Sequence, residues 1–384
     1  MPIKGRIAVE QVLGWNASGK DREQMNVSTP AVVVDLDIAE RNIRRMADVV
    51  RSAGIRHRPH IKSHKSVYFA RKQLEAGCAG ITCAKLGEAE VMAEAGIDDI
   101  LIAFPIIGAD KQERLFRLAQ HTQVTCVADS LEAAVSVSQV GERLQRTIPL
   151  YIEVDGGIGR CGRQPGQDTA EFALQICDLP GIEVVGVLSY AGQIYAEQSR
   201  EDIREMAKQE ACLLQQSADM IRANGMTLPV VSGGSSLSSK FAQDLDGVTE
   251  VRAGNYLFHD VGQLSMGMVG VEDCALRVVT TVVSTPAPGK AIIDAGSKTL
   301  TTDTMPFSKG YGYIVEHPEI EIFKLNEEHG FLRYPPELSV RIGQQLTIIP
   351  NHACVIPNLC NEVLGVRDGE VVLSIKIDAR GKSS

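Results

Sequence analysis

The sequence predicts an α/β protein in two parts: a (β/α)8 TIM-like barrel followed by a C-terminal β domain. From about residue 30 to 232, short apolar β-branched runs alternate with longer segments of helical period, the pattern of repeated βα units around a parallel sheet. Eight such runs in roughly 200 residues match the length and order of a barrel, with a doubly wound sheet as the competing arrangement. After about residue 265 the long helical segments stop and strand-like runs follow one another.

In chain order the runs are AVVVDL (31 to 36), IRHRPH (55 to 60), AGITCA (79 to 84), DILIAF (99 to 104), QVTCVA (123 to 128), LYIEVD (150 to 155), VVGVLSY (184 to 190) and LPVVSGG (228 to 234). The first helix, 38 to 54, puts Ile38, Ile43, Met46, Val49 and Val50 near one face and is closed by Gly54. Further helices are expected over 87 to 96, over 129 to 144 with Asp129 or Ser130 as cap, and over 200 to 225. The β domain is read from ALRVVTTVVSTPA, KAIIDAG, EIEIFKLNEEHGFLRY, QLTIIPN and EVVLSIKI. The expected division is an N-terminal segment, 1 to 28, packing on the β domain; the barrel, 29 to 264; and the β domain, 265 to 384.

Composition limits the partners. With 39 Lys and Arg against 48 Asp and Glu, the formal charge of −9 argues against nucleic acid. No run approaches the roughly 18 to 20 apolar residues that span a bilayer, and Glu10 interrupts the place where a signal peptide needs its apolar core, so neither a membrane nor export is expected. The nine cysteines are odd in number and form no CxxC pair, which fits a reduced cytoplasm better than a disulfide framework.

Barrel enzymes carry their chemistry at the carboxyl ends of strands. The second run ends in RPHIKSHKS (58 to 66), where His60, Lys62, His64 and Lys65 crowd together. Clustered cations depress a lysine pKa, which prepares an amine to form a Schiff base with a carbonyl cofactor; the plainer reading is a basic surface loop. The VVSGGSS run (230 to 236) exposes backbone amides and hydroxyls at Ser232, Gly233, Gly234 and Ser235 that can cradle a phosphate. Gly254, Asn255 and Tyr256 form a second candidate turn. A lysine after strand two with a phosphate cradle at strands seven to eight suggests pyridoxal phosphate.

In PNHACVIPNLC (350 to 360), His352 and Cys354 share one face of an extended chain, close enough to bind one metal; a chance buried pair is the plainer reading. Two ligands suit an open catalytic site, and the thiolate favours Zn2+ over Mn2+ or Mg2+. Arg160, beside Asp155 and Cys161, is a candidate contact for the cofactor ring or a substrate carboxylate; Tyr190 is a further cofactor candidate or a core residue. Asp294 and His329 read as turn residues, and Cys78, Cys83, Cys126, Cys177, Cys212 and Cys274 as core.

Together and in this order, TPAVVVDLD, RPHIKSHKS, CAKLGEAE, EVDGGIGRCG, VVSGGSS, TEVRAGNYLFHD, IIDAG, NEEHG and PNHAC resemble the fold-type III pyridoxal phosphate enzymes of the D-threonine aldolase and D-serine dehydratase group, distant relatives of alanine racemase. The resemblance implies an alanine racemase N-terminal-like barrel, homodimers with active sites near the subunit interface, and a small D-amino acid as substrate. It implies Lys62 as the Schiff-base lysine; His64 is then a candidate base, and His60, Arg160 and Tyr190 are candidate cofactor contacts. The SGGSS loop and the turn at Gly254, Asn255 and Tyr256 match the phosphate-binding segments, and His352 and Cys354 match the divalent metal pair. The HAC triplet, TEVRAGNY and AGQIY lean to the dehydratases; GRCG is more like the aldolases, and Tyr190 stands where several dehydratases carry histidine. The expected activity is β-elimination from a β-hydroxy D-amino acid to a 2-oxo acid and ammonia. Retro-aldol cleavage to glycine and an aldehyde is the alternative, and racemisation comes third.

Overall fold

The computed structural model describes residues 25–384. The expected packing of the first 28 residues therefore falls almost wholly outside the described residues. Eight short parallel strands form the barrel sheet: β2 (Arg56–His57), β3 (Ile81–Cys83), β4 (Asp99–Ile102), β5 (Gln123–Ala128), β6 (Ile148–Val154), β7 (Ile182–Ser189), β8 (Val230–Ser232) and β9 (Glu250–Val251). Their order is β2-β9-β8-β7-β6-β5-β4-β3, and a bridge between His60 and Thr82 joins the two ends of the sheet.

Alternation along these strands sorts the side chains. Leu101, Val127, Tyr151, Leu188 and Val230 form a small cluster of their own inside the ring. Their neighbours Ile100, Ile102, Cys126, Leu150, Ile152, Val187 and Val231 pack outward into the main core against the helices. Of those helices, α1 (Leu36–Ser52) starts at Asp35, whose carboxylate accepts the Ile38 N–H, and buries Ile38, Ile43, Met46 and Val50 as the spacing predicts. The helix Leu131–Leu144 is capped by Ser130 rather than Asp129.

The first expected barrel strand, β1 (Ala31–Asp35), lies outside the ring. It pairs with the β domain, antiparallel to β10 (Leu276–Ala287) and parallel to β16 (Glu362–Arg367). AVVVD is apolar on both faces, so its pattern fits the middle of either sheet. The eighth barrel strand is instead β9, only two residues long and carrying Glu250. The rest of the β domain is β11 (Lys290–Ile293), β12 (Tyr313–Ile314), β13 (Glu321–Leu325), β14 (Gly330–Arg333), β15 (Gln345–Ile349) and β17 (Glu370–Lys376), in the order β13-β14-β11-β10-β1-β16-β17 with β15 on β10. Ile293, Ile322, Leu332, Leu346 and Ile348 are among its buried core. None of the nine cysteines is in a disulfide, and no described helix is long and apolar enough to cross a membrane.

Candidate active site

After β2 the chain runs extended through Pro59 and His60 into a single 3-10 turn, Ile61–Ser63, which sets Lys62 beyond the strand's carboxyl end. Burial pushes the Lys62 amine below the ordinary lysine range; Cys354 and Glu88 oppose the shift, while Arg160 and Arg252 add to it. The Lys62 Nζ lies 5.6 Å from the centre of the Tyr190 ring, and the Arg160 guanidinium 5.2 Å from the same ring. Three strand ends, those of β2, β6 and β7, thus bring together Lys62, Arg160 and Tyr190.

The other two expected members of the basic cluster do different things. His64 is fully buried; its Nδ1 accepts the Ser66 N–H at 3.1 Å, so Nε2 donates to Gln73 Oε1 at 3.2 Å. Burial lowers its pKa to about 4, and with both nitrogens occupied it offers no free base. His60 Nδ1 is buried without a partner beside the lysine turn.

The glycine loop is as compact as its sequence suggests. Gly233 N donates to Glu250 O at 3.0 Å, and Gly234 has φ +92°, where a Cβ would stand 2.8 Å from Val251 and 3.1 Å from Ser239 Oγ. That Ser239 hydroxyl is buried and unpartnered, a donor free to meet an anion. Ser235 is spent locally, since its hydroxyl accepts the N–H groups of Leu237 and Ser238 at 3.2 and 3.3 Å. Gly254 packs against the lysine turn so closely that a Cβ would lie 2.5 Å from His60 O. Next to it, Asn255 donates to Asp260 at 2.6 Å, and the Tyr256 N–H donates to Ser236 Oγ at 3.0 Å. The Tyr256 ring is buried, with its hydroxyl accepting from Gln73 at 3.0 Å. A pyridoxal phosphate fits these residues: an amine of lowered pKa, a buried unpartnered hydroxyl at a glycine cradle, and an unpartnered imidazole nitrogen.

Sequence reasoning missed Arg252. It follows β9, is buried, and donates to Ser232 Oγ at 2.6 Å and to the Ser189 carbonyl. Ser232 Oγ in turn donates to Glu250 at 2.8 Å, and the other Glu250 oxygen accepts Arg58 Nε at 3.0 Å. Ser232 is thereby a link in a charged chain. The signal was present in EVRAG, where Glu250 and Arg252 alternate as one face of a strand does. Glu210 was also missed; from a helix it accepts the Ala191 N–H at 3.1 Å, and burial raises its pKa.

The β domain carries the two residues expected to bind a metal. His352 and Cys354 follow β15, and the Cys354 thiol reaches Ser63 Oγ, next to Lys62, at 3.2 Å. Burial would lower the His352 pKa, but hydrogen bonding to Cys354, the Cys354 and Asp260 charges and the Asp303 hydrogen bond raise it to about 9. Among the described residues no group of three or more His, Cys, Asp or Glu side chains converges on one point. The donor set is therefore one imidazole and one sulfur, which suits a soft divalent ion with open positions. Cys360 bonds back to Ile356 O and Pro357 O in its own turn. Asp155 caps its loop through the Gly157 and Gly159 N–H groups at 3.0 Å each, and Asp294 ties Thr29 to Thr280 at 2.6 Å.

Residues 34–261 match the alanine racemase N-terminal domain family, and residues 275–366 the putative serine dehydratase domain family. The chain is 33% identical to a D-threonine aldolase of Arthrobacter sp. over 93% of this chain and 94% of that one. It is 35% identical to the D-threo-3-hydroxyaspartate dehydratase of Delftia sp. (strain HT23) over 86% of this chain and 92% of that one. A solved D-threo-3-hydroxyaspartate dehydratase, a cysteine-to-alanine mutant in the metal-free form, superposes with a TM-score of 0.85 at 33% identity, covering 92% of this chain and 98% of the other.

Proposed function

Because this chain belongs to the alanine racemase N-terminal barrel family, within the pyridoxal phosphate-dependent lyases of the D-threonine aldolase and D-serine dehydratase group, we propose that it dehydrates β-hydroxy D-amino acids, D-serine or a 3-hydroxy-D-amino acid, to a 2-oxo acid and ammonia. The observation that carries this reading is the 3.2 Å contact between Cys354 and Ser63, which sets a His and Cys donor pair against the Lys62 turn. In this reading His352 and Cys354 hold a divalent metal, Zn2+ by softness, with Mn2+ and Mg2+ the alternatives. Such an ion is a Lewis acid for the departing β-hydroxyl. Bound pyridoxal phosphate is the electron sink that lets the α-proton go.

The chain's own residues then divide the work. Lys62, with its pKa lowered, is the amine that anchors the cofactor and afterwards takes the α-proton on Nζ. Gly233, Gly234 and Ser239 would receive the phosphate, and Tyr190 and Arg160, packed on each other beside Lys62, would contact the rest of the cofactor. A homodimer in the cytoplasm is the working form this reading takes from the family.

A second reading, retro-aldol cleavage, is favoured by the aldolase relative at 33% identity beside the dehydratase at 35%. It needs a base for the β-hydroxyl, and His64 has no free nitrogen to serve. The test is a product assay on purified protein with pyridoxal phosphate and Zn2+, offering D-serine, D-threonine and a 3-hydroxy-D-aspartate. A 2-oxo acid with ammonia supports the dehydratase; glycine with an aldehyde replaces it by the aldolase.

A further inference from the structure

We propose that Asp303 is the positioning residue of the metal pair, fixing the His352 ring so that one nitrogen is presented beside Cys354; this rests on the metal reading above. The Asp303 Oδ2 lies 3.1 Å from His352 Nδ1. A carboxylate can only accept, so Nδ1 carries the proton and Nε2 is the nitrogen left for a metal. Carboxylates behind ligating imidazoles set tautomer and ring orientation in this way.

The loop bearing Asp303 is laced to the histidine segment. The Asp303 carbonyl accepts from Asn351 Nδ2 at 2.8 Å, and the same amide reaches Gly310 O at 2.9 Å. The Asp303 N–H donates to Thr301 Oγ1 at 3.2 Å. Thr301 has φ +64° and ψ 179°, a conformation that is strained for a residue with a side chain and persists where its surroundings hold it. On the other side, Asp260 holds the backbone between the two donors by accepting the Ala353 N–H at 3.0 Å. Asp260 therefore sets the chain and Asp303 sets the ring. Both the His352 and Asp303 side chains remain more than a third exposed, so an ion can reach them.

The experiment compares the pyridoxal phosphate-loaded wild type with Asp303→Ala and Asp303→Asn. It measures zinc affinity by competition with a coloured chelator, the absorption spectrum of the cobalt(II)-substituted protein, and cofactor content. The expected result is about 10–100-fold weaker zinc binding in Asp303→Ala with an altered cobalt spectrum. Cofactor content stays at the wild-type level, and Asp303→Asn, which keeps an acceptor oxygen, falls between. Zinc binding within twofold of wild type and an unchanged cobalt spectrum overturn the proposal. So does a matching loss of cofactor, which marks a purely structural role. Should Asp303→Ala not fold, the cobalt spectrum of Asp303→Asn decides alone. A wild type that binds no zinc overturns the metal reading itself, a result distinct from the others.

Discussion

Lys65 is held 3.3 Å from the Glu88 carboxylate, and its ammonium also donates to Asn358 Oδ1 at 3.0 Å. Three residues earlier, Lys62 forms no such ion pair among the described residues and has an aromatic ring for a neighbour. Two lysines in one hexapeptide are thereby given opposite tasks. Lys65, at φ +51°, is structural, its carbonyl accepting the Ala379 N–H at 2.9 Å.

Replacing each lysine separates these tasks. Lys62→Ala is expected to lose the cofactor absorbance and borohydride trapping while melting close to wild type. Lys65→Met is expected to keep the trapped cofactor but lose about 3–5 kcal/mol, because Glu88 is left charged and buried. Mass spectrometry after borohydride reduction and thermal melts check both; a trapped adduct in Lys62→Ala would move the anchor elsewhere.

Removing metal should stop turnover without releasing the cofactor, since the His352 and Cys354 donors and the glycine loops are separate segments. Activity in excess chelator is expected to vanish, with Zn2+ restoring it better than Mn2+ or Mg2+ on softness grounds. Full turnover in the chelator would sink the metal role.

Buried histidines, His60 among them, make stability fall in mild acid. Burial lowers the His57 and His64 pKa values to about 4 and that of His259 to about 3, against the ordinary 6.5. Between those values the unfolded chain binds more protons than the folded one. Each contribution is therefore complete above pH 6.5 and is lost as pH falls toward 4, at about 1.4 kcal/mol per pH unit per histidine. Burial raises the Glu153, Glu210 and Asp260 carboxyls, which bends the profile the other way. His64→Gln isolates the effect: urea titrations from pH 6.5 to 4.5 should show its stability falling less steeply than wild type by about 1.4 kcal/mol per unit. Parallel profiles would mean that His64 is protonated in the folded protein.

The fold was legible where periodicity was strong. Helix α1 showed its buried face, and five of the barrel strands, β2 to β5 and β8, lie within the runs read from the sequence, while β6 and β7 begin two residues before theirs. One exchange was not legible. AVVVD is a better barrel strand on paper than the two-residue β9, yet it belongs to the β domain, because an apolar run reports burial and not which sheet supplies it. Lys62, Arg160 and Tyr190 were candidates from strand ends, and the structure sets the Lys62 amine and the Arg160 guanidinium 5.6 and 5.2 Å from the centre of the Tyr190 ring. The orphan imidazole of His60, the locked His64 and the carboxylate behind His352 depend on side-chain geometry across distant segments, which spacing along the chain does not encode.

Glu250 tests how the barrel's charged interior is held. It is fully buried, with Arg58 Nε on one oxygen at 3.0 Å and Ser232 Oγ on the other at 2.8 Å; Ser232 carries Arg252 at 2.6 Å. One acid thus joins two buried guanidiniums, although Arg58 also reaches Asp99 at 2.6 Å and Arg252 also feels the Glu210 and Glu153 carboxylates. Glu250→Gln keeps the shape and removes the charge. Breaking a buried pair from one side costs about 3–5 kcal/mol, because the partner's charge stays desolvated. Arg252 also acts on the Lys62 amine, so the variant should bind cofactor with a shifted pH profile as well as unfold at lower urea. Ser232→Ala, which breaks only the hydroxyl link, is expected to cost about 1–3 kcal/mol. If Glu250→Gln unfolds within about 1 kcal/mol of wild type, Asp99 beside Arg58 and Glu210 and Glu153 near Arg252, with the backbone carbonyls, suffice for the two arginines, and the chain from Arg58 to Arg252 is then not what fixes β9 beside the lysine.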